Sequence, residues 1–148
     1  NESSTTEFNN DNWSEVRTKK ISVVFQDLQL LEDLTAFENI LLKNQLTNQF
    51  SVLEIEEMAK KLGVFNKLND KINTLSRGEK QRVAIIRSLC MPFNWILLDE
   101  PFSHLDEENT NKAIGLIKSV VEMNGAGVIM VNLHADSHFD YELKIKMV

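Results

Sequence analysis

A chain of 148 residues is long enough for one domain with a real core, and 43% hydrophobic with 26% charged residues is a globular rather than a disordered composition. The net charge of −6 argues against a general nucleic-acid binder, which usually carries a basic surface. The single cysteine, Cys90, excludes an intramolecular disulfide framework and fits a reducing compartment. No apolar run is long enough to span a bilayer, so membrane association would have to run through a partner.

The first residues, Asn1 to Thr6, lack the basic and apolar regions of a signal peptide. Residues 1–16, with Asn9, Asn10, Asp11 and Asn12 clustered as in a turn, read as a polar tail or the boundary of an excised piece. Ile21–Phe25 is a β-branched, aromatic-ended strand with Gln26 at its end. Thr35 is placed to cap a helix from Ala36, with Glu38 in its first turn. Phe37, Ile40, Leu41 and, after a gap, Leu46 supply its apolar side. A second helix is predicted from Val52 to Leu62, with Gly63 as a left-handed cap. These helices suffice for a small bundle packing on itself.

In Leu75-Ser-Arg-Gly-Glu79, the Ser76 hydroxyl and Glu79 carboxylate form a capping box that opens another helix. Gly78 has no side chain, so an anion can approach the backbone there, and Arg77, Lys80 and Arg82 deepen the positive field of the helix start. An ordinary capped helix would look the same. Val83, Ile86 and Leu89-Cys90 continue as an apolar stripe until Pro92, with Cys90 a small buried hydrophobe.

Trp95–Leu98 is short and continuously apolar, as in a parallel strand buried on both faces. Asp99 and Glu100 follow at its carboxyl end, where ligands bind in open α/β sheets. Alternation along an extended chain points the two acids in different directions, and Pro101 biases Glu100 toward extended backbone. A solvated acidic turn would also explain them. Asp106 suits the N-cap of a helix from about Glu107, with Ile114, Ile117 and Val121 on its apolar side and Asn124-Gly125 at its close. Gly127–Leu133 is a further strand ending at His134, and Leu143–Val148 suggests one more; His104 and His138 read as solvated.

Val24-Phe-Gln-Asp27, Leu75–Arg82, the Trp95–Glu100 strand, Leu105-Asp106 and the strand ending at His134 stand in the order of glutamine loop, signature, Walker-B strand, D-loop and switch histidine. In this the chain resembles the ATP-binding cassette (ABC) ATPases from about Lys20 to His134, and Leu34-Thr-Ala-Phe-Glu-Asn39 most resembles the lipoprotein-release and macrolide-export branch. Arg77 stands where the family usually has glycine, and Glu79 where it has glutamine. The family's P-loop, G-x-x-x-x-G-K-[ST], occurs nowhere in the 148 residues.

The resemblance implies an α/β, P-loop NTPase-like fold: a mostly parallel sheet with helices and a helical subdomain, without its amino-terminal part. The helical and signature portion would span about 36–92 and the core about 93–148. It further implies hydrolysis of ATP with Mg2+. Asp99 would hold the metal through its water shell, Glu100 would act as general base or water positioner, and Gln26 and His134 would complete the surroundings of the γ-phosphate, with Gln26 reaching the metal too. Ser76, Arg77, Gly78 and Glu79 would serve the nucleotide of a second subunit in a head-to-tail dimer, and Asp106 would lie at that interface. A transmembrane permease would be the other partner, placing the protein on the inner face of the cell membrane, with no role for nucleic acid. Without the P-loop this stretch alone is expected to be inactive.

Two other readings compete. A non-catalytic regulatory or interaction module derived from such an ATPase would also lack a P-loop, although Asp99, Glu100 and His134 are all in place. A DNA-repair or chromosome-type ATPase shares the motifs but carries very long coiled coils, whereas the stretch from Gln26 to Leu75 is short and has no sustained heptads.

Overall fold

Three short apolar runs make the sheet. In the computed structural model, which describes residues 20–132 and Phe139, β1 is Ile21–Val24, β2 Trp95–Asp99 and β3 Gly127–Val131. They pair in parallel in the order β1-β2-β3. Ile21 lies opposite Trp95, and Trp95 opposite Gly127, so the carboxyl ends of all three strands face one way. The predictions for residues 1–16, for Leu133 and His134, for His138 and for a strand at Leu143–Val148 fall outside the described residues.

Between β1 and β2 the chain builds three α-helices, α1 (Ala36–Asn44), α2 (Val52–Lys61) and α3 (Arg77–Leu89). All three start on the same local device. Thr35, Ser51 and Ser76 each accept from the backbone N–H three residues on, and Glu38, Glu54 and Glu79 each accept the N–H of the cap residue at 2.8 Å. Gly63 closes α2 with φ 66°, the left-handed cap its sequence position suggested. Helix α4 (Glu107–Asn124) joins β2 to β3, capped by Asp106 at its start and by Gly125, φ 59°, at its end.

One apolar cluster runs through the helices and the sheet, from Ile40 and Ile55 through Ile85, Ile86 and Leu89 to Ile96, Leu98 and Ile117. Full burial of each such side chain contributes about 1.5–3 kcal/mol, which outweighs any local preference in setting where α3 and α4 lie. Ser22 fastens β1 to α3 by donating from Oγ to the Ser88 carbonyl at 2.6 Å. Leu46, assigned above to the apolar side of α1, is 61% exposed because α1 ends at Asn44 and the turn carries it away from the core.

The expectation that Trp95–Leu98 is buried on both faces holds for one face only. Ile96 and Leu98 are sealed under the helices, whereas Trp95 on the opposite face is 50% exposed and Leu97 is half-buried. Both crossovers place their helices against the Ile96 and Leu98 side among the described residues. Trp95 recovers part of its burial locally: its ring lies over Gly127, directly across the ladder, where a Cβ would sit 2.3 Å from a ring carbon.

Candidate functional site

The parallel strands deliver their ends to one edge of the molecule. Gln26 follows β1 by two residues, Asp99 closes β2, and Glu100 begins the turn beyond it. Gln26 Nε2 donates to Glu100 Oε2 at 3.5 Å, a contact between residues 74 positions apart in the chain. Asp99 is half-buried beside this pair, in register with Val131.

Glu100 is not extended, as Pro101 alone would have it. Its φ is 44°, in the left-handed region. Two tertiary hydrogen bonds and one within the turn override the local preference: the Glu100 N–H donates to the Val131 carbonyl at 3.0 Å, and the Glu100 carbonyl accepts from Gln81 Nε2 at 3.1 Å and from the Ser103 N–H at 3.3 Å. The chain therefore turns sharply at Glu100, aiming its carboxylate back toward Gln26.

The signature stretch opens α3 as its sequence demands. The Ser76 N–H donates to Glu79 Oε2 at 2.8 Å, which is the main reason the Glu79 carboxyl is held below its ordinary pKa. Two of the three nearby cations are already engaged. Lys80 Nζ pairs with Glu32 at 3.0 and 3.1 Å, and Arg82 Nη1 donates to Asn109 Oδ1 at 2.6 Å. Only Arg77 of the three has no hydrogen-bond or ion-pair partner among the described residues. The glutamine-loop residues 26–32, with Leu75, Arg77 and Lys80, wall a cleft of about 540 Å³.

The glutamine loop itself is gripped from α3. Leu28 and Gln29 both have positive φ, 63° and 49°, and Arg87 donates to both of their carbonyls at 2.6 Å. Burial lowers the pKa of this guanidinium.

Gly78 serves a close approach, though to protein. A Cβ there would meet the His104 carbonyl oxygen at 2.9 Å, so α3 lies against the Ser103–Asp106 turn. Asp106 caps α4 by accepting the Asn109 N–H at 2.8 Å, the leading reason for its lowered pKa. His104, read above as solvated, is exposed but bonded: its N–H donates to Gln81 Oε1 at 3.1 Å, and its Nδ1 lies 3.2 Å from the same atom. Gln81 lies within the Leu75–Arg82 stretch but was given no role of its own there. The signal for it was its spacing with Ala84, Ile85 and Ser88, which are all buried with it on one side of α3.

Among the described residues no three His, Cys, Asp or Glu side chains cluster as a metal cage. A single half-buried carboxylate, Asp99, beside an amide and a second carboxylate fits Mg2+, which keeps its waters and takes its remaining oxygens from phosphate. No described helix is long and apolar enough to cross a membrane.

Comparison with known proteins gives the frame for this geometry. The phosphonates import ATP-binding protein PhnC of Fusobacterium nucleatum is 39% identical over 127 residues, covering 78% of this chain and 51% of that protein. The lipoprotein-releasing system ATP-binding protein LolD of Rickettsia conorii is 36% identical over 135 residues, covering 89% of this chain and 58% of that protein. The solved dimeric, post-hydrolysis ATP-binding cassette MJ0796 bound to ADP and Pi matches with a TM-score of 0.74 at 32% identity, over 88% of this chain and 59% of that one. The chain thus spans about half the length of the curated relatives it matches. The family model for ABC transporters matches residues 2–103, and the sheet, helices and motif order agree with it: this chain belongs to the ABC transporter family, as part of an ATP-binding cassette.

Proposed function

We propose that this chain is the catalytic-glutamate and signature portion of an ABC transporter's ATP-hydrolysing subunit. The observation that carries the reading is the Gln26–Glu100 contact at the carboxyl ends of two adjacent parallel strands, with Asp99 next to it. Glu100 positions the attacking water and takes its proton, a role worth roughly 10²- to 10⁴-fold in rate. Gln26 orients that carboxylate, and its amide reaches the same water. Asp99 would hold Mg2+, which would supply charge neutralisation for the transferred phosphoryl group. His134 completes the surroundings of the γ-phosphate.

Ser76, Arg77, Gly78 and Glu79 at the start of α3 face the nucleotide of a second ATPase subunit, with Asp106 at the shared interface. MJ0796, solved as a dimer, supports that arrangement. The relatives named for import and for lipoprotein release support a transmembrane permease as the other partner, which would hold the subunit on the inner face of the cell membrane. Because these 148 residues contain no P-loop, they lack the backbone cradle and lysine for the β- and γ-phosphates, and alone they are inactive.

The test is to assay this chain alone and joined to an upstream P-loop segment. Mg2+-dependent ATPase activity should appear only in the joined cassette, and Glu100→Gln should abolish turnover while leaving ATP binding intact. A joined cassette that binds ATP without hydrolysing it would favour the non-catalytic module. Tight ATP binding by the 148 residues alone would sink the claim that they are inactive for want of a P-loop.

A further inference from the structure

Gln81 is a polar side chain only 1% exposed on the buried side of α3, and both ends of its amide are engaged. Nε2 donates to the Glu100 carbonyl at 3.1 Å, and Oε1 accepts the His104 N–H at 3.1 Å. A single side chain thus bridges two points of the Glu100–Asp106 turn. Its neighbours on α3 touch the same turn: Gly78 meets the His104 carbonyl, and Arg82 bonds Asn109, which Asp106 holds. The opening turns of α3 therefore rest on the segment that follows the Walker-B strand.

The position of Glu100 makes this contact matter. A non-glycine residue at φ 44° persists only where its surroundings over-determine it. Three hydrogen bonds do so, one donated to the Val131 carbonyl and two accepted from Ser103 and Gln81. Ser103 lies in the same turn and Val131 in the neighbouring strand. Gln81 alone among them comes from α3, the helix whose first residues include Ser76 and Glu79.

We propose that Gln81 is a positioning residue for Glu100, tying the general base to the signature helix so that the two move as one unit. This rests on the roles given above to Glu100 and to the start of α3. It means that a subunit gripping its partner's nucleotide through Ser76 and Gly78 sets the angle of its own Glu100 in the same motion. Loss of the amide leaves Glu100 in place but free to swing, and a misplacement of about 1 Å at a reacting group costs on the order of 10²-fold in rate.

Two measurements test it. In the 148-residue chain, amide hydrogen exchange at His104 should accelerate at least about tenfold in Gln81→Met while Val83–Leu89 stay protected. Unchanged exchange at His104 would overturn the tie. In the cassette joined to a P-loop segment, Gln81→Met should lower kcat by about 10- to 100-fold with little change in the KM for ATP. The deciding readout is a double-mutant cycle on single-turnover rates. If Gln81 acts through Glu100, Gln81→Met slows wild type but adds little to Glu100→Gln; effects that multiply independently would make Gln81 a core residue and nothing more. Should Gln81→Met fail to fold, Gln81→Glu keeps the shape and the acceptor for His104 while its ionised form cannot donate to Glu100, and the same cycle applies. A wild-type joined cassette without ATPase activity would sink the functional reading and the catalytic half of this inference together, and the exchange experiment then decides the structural half.

Discussion

The two halves of the site are built in opposite ways. At the start of α3, everything is local: Ser76 and Glu79 satisfy each other's backbone N–H groups, and the residues that do so lie three positions apart. At the end of β2, little is local. Glu100 adopts a backbone angle disfavoured for a residue before proline, and bonds from α3 and β3 hold it there. A capping box forms wherever its residues occur, so it positions a helix start cheaply and robustly. A strained turn exists only in the finished fold, so its geometry reports on whether the neighbouring elements are in place.

The largest effect that would break this contrast is chemical. Glu100→Gln in the P-loop-containing cassette should lower single-turnover ATP hydrolysis by roughly 10²- to 10⁴-fold, with the affinity for ATP unchanged. A drop of only a few-fold would mean the tertiary-held turn is not the reactive half. Next comes Gly78→Ala, whose Cβ would press on a backbone oxygen at 2.9 Å; thermal or urea unfolding should show about 1–3 kcal/mol of destabilisation. Its control is Gly115→Ala in α4, where a Cβ meets nothing within 4 Å and α-helix propensity should give a gain of about 0.5–1 kcal/mol. Equal outcomes at the two glycines would refute the close packing of α3 on the Ser103–Asp106 turn.

Smaller effects sharpen the local side. Ser76→Ala should cost about 1 kcal/mol by denaturant unfolding. The caps also set an acid limb. The Glu38, Glu54 and Glu79 carboxyls are held below their ordinary pKa chiefly by the cap residues' N–H groups, so their contribution is full above the unfolded value and is lost as pH falls through the folded one. Unfolding midpoints followed from neutral pH into acid should therefore fall, and Glu79→Gln should fall less steeply than wild type over that range. Smallest is Glu32→Ala, which breaks a partly exposed pair with Lys80 and should cost less than about 1 kcal/mol, less still at high salt.

Cys90 gives an independent check on the core shared by helices and sheet. Its thiol is buried and pushed up to about 12, so alkylation at pH 8 should proceed only through unfolding. Fast labelling of the native chain would place α3 less deeply than its packing on β1 requires.

The helix starts, the glycine caps at Gly63 and Gly125, the three strands of the sheet and the order of the motifs are all legible in the amino-acid sequence. These depend on short-range patterns: a cap and its partner three residues away, apolar spacing of 3.6, and brief β-branched runs. The Ser51–Glu54 box belongs with these, since it repeats the Ser76–Glu79 pattern. Four features come from the assembled fold instead: Glu100 is left-handed, Trp95 faces outward over Gly127, Lys80 and Arg82 are engaged, and Gln81 joins α3 to the turn after β2. Each of these depends on groups far apart in the chain, and local preference either points the other way or is silent. Contacts of that kind form only once burial of Ile85, Ile96, Leu98 and Ile117 has fixed the helices against the sheet, because hydrophobic burial is non-directional and the hydrogen bonds then select the final geometry.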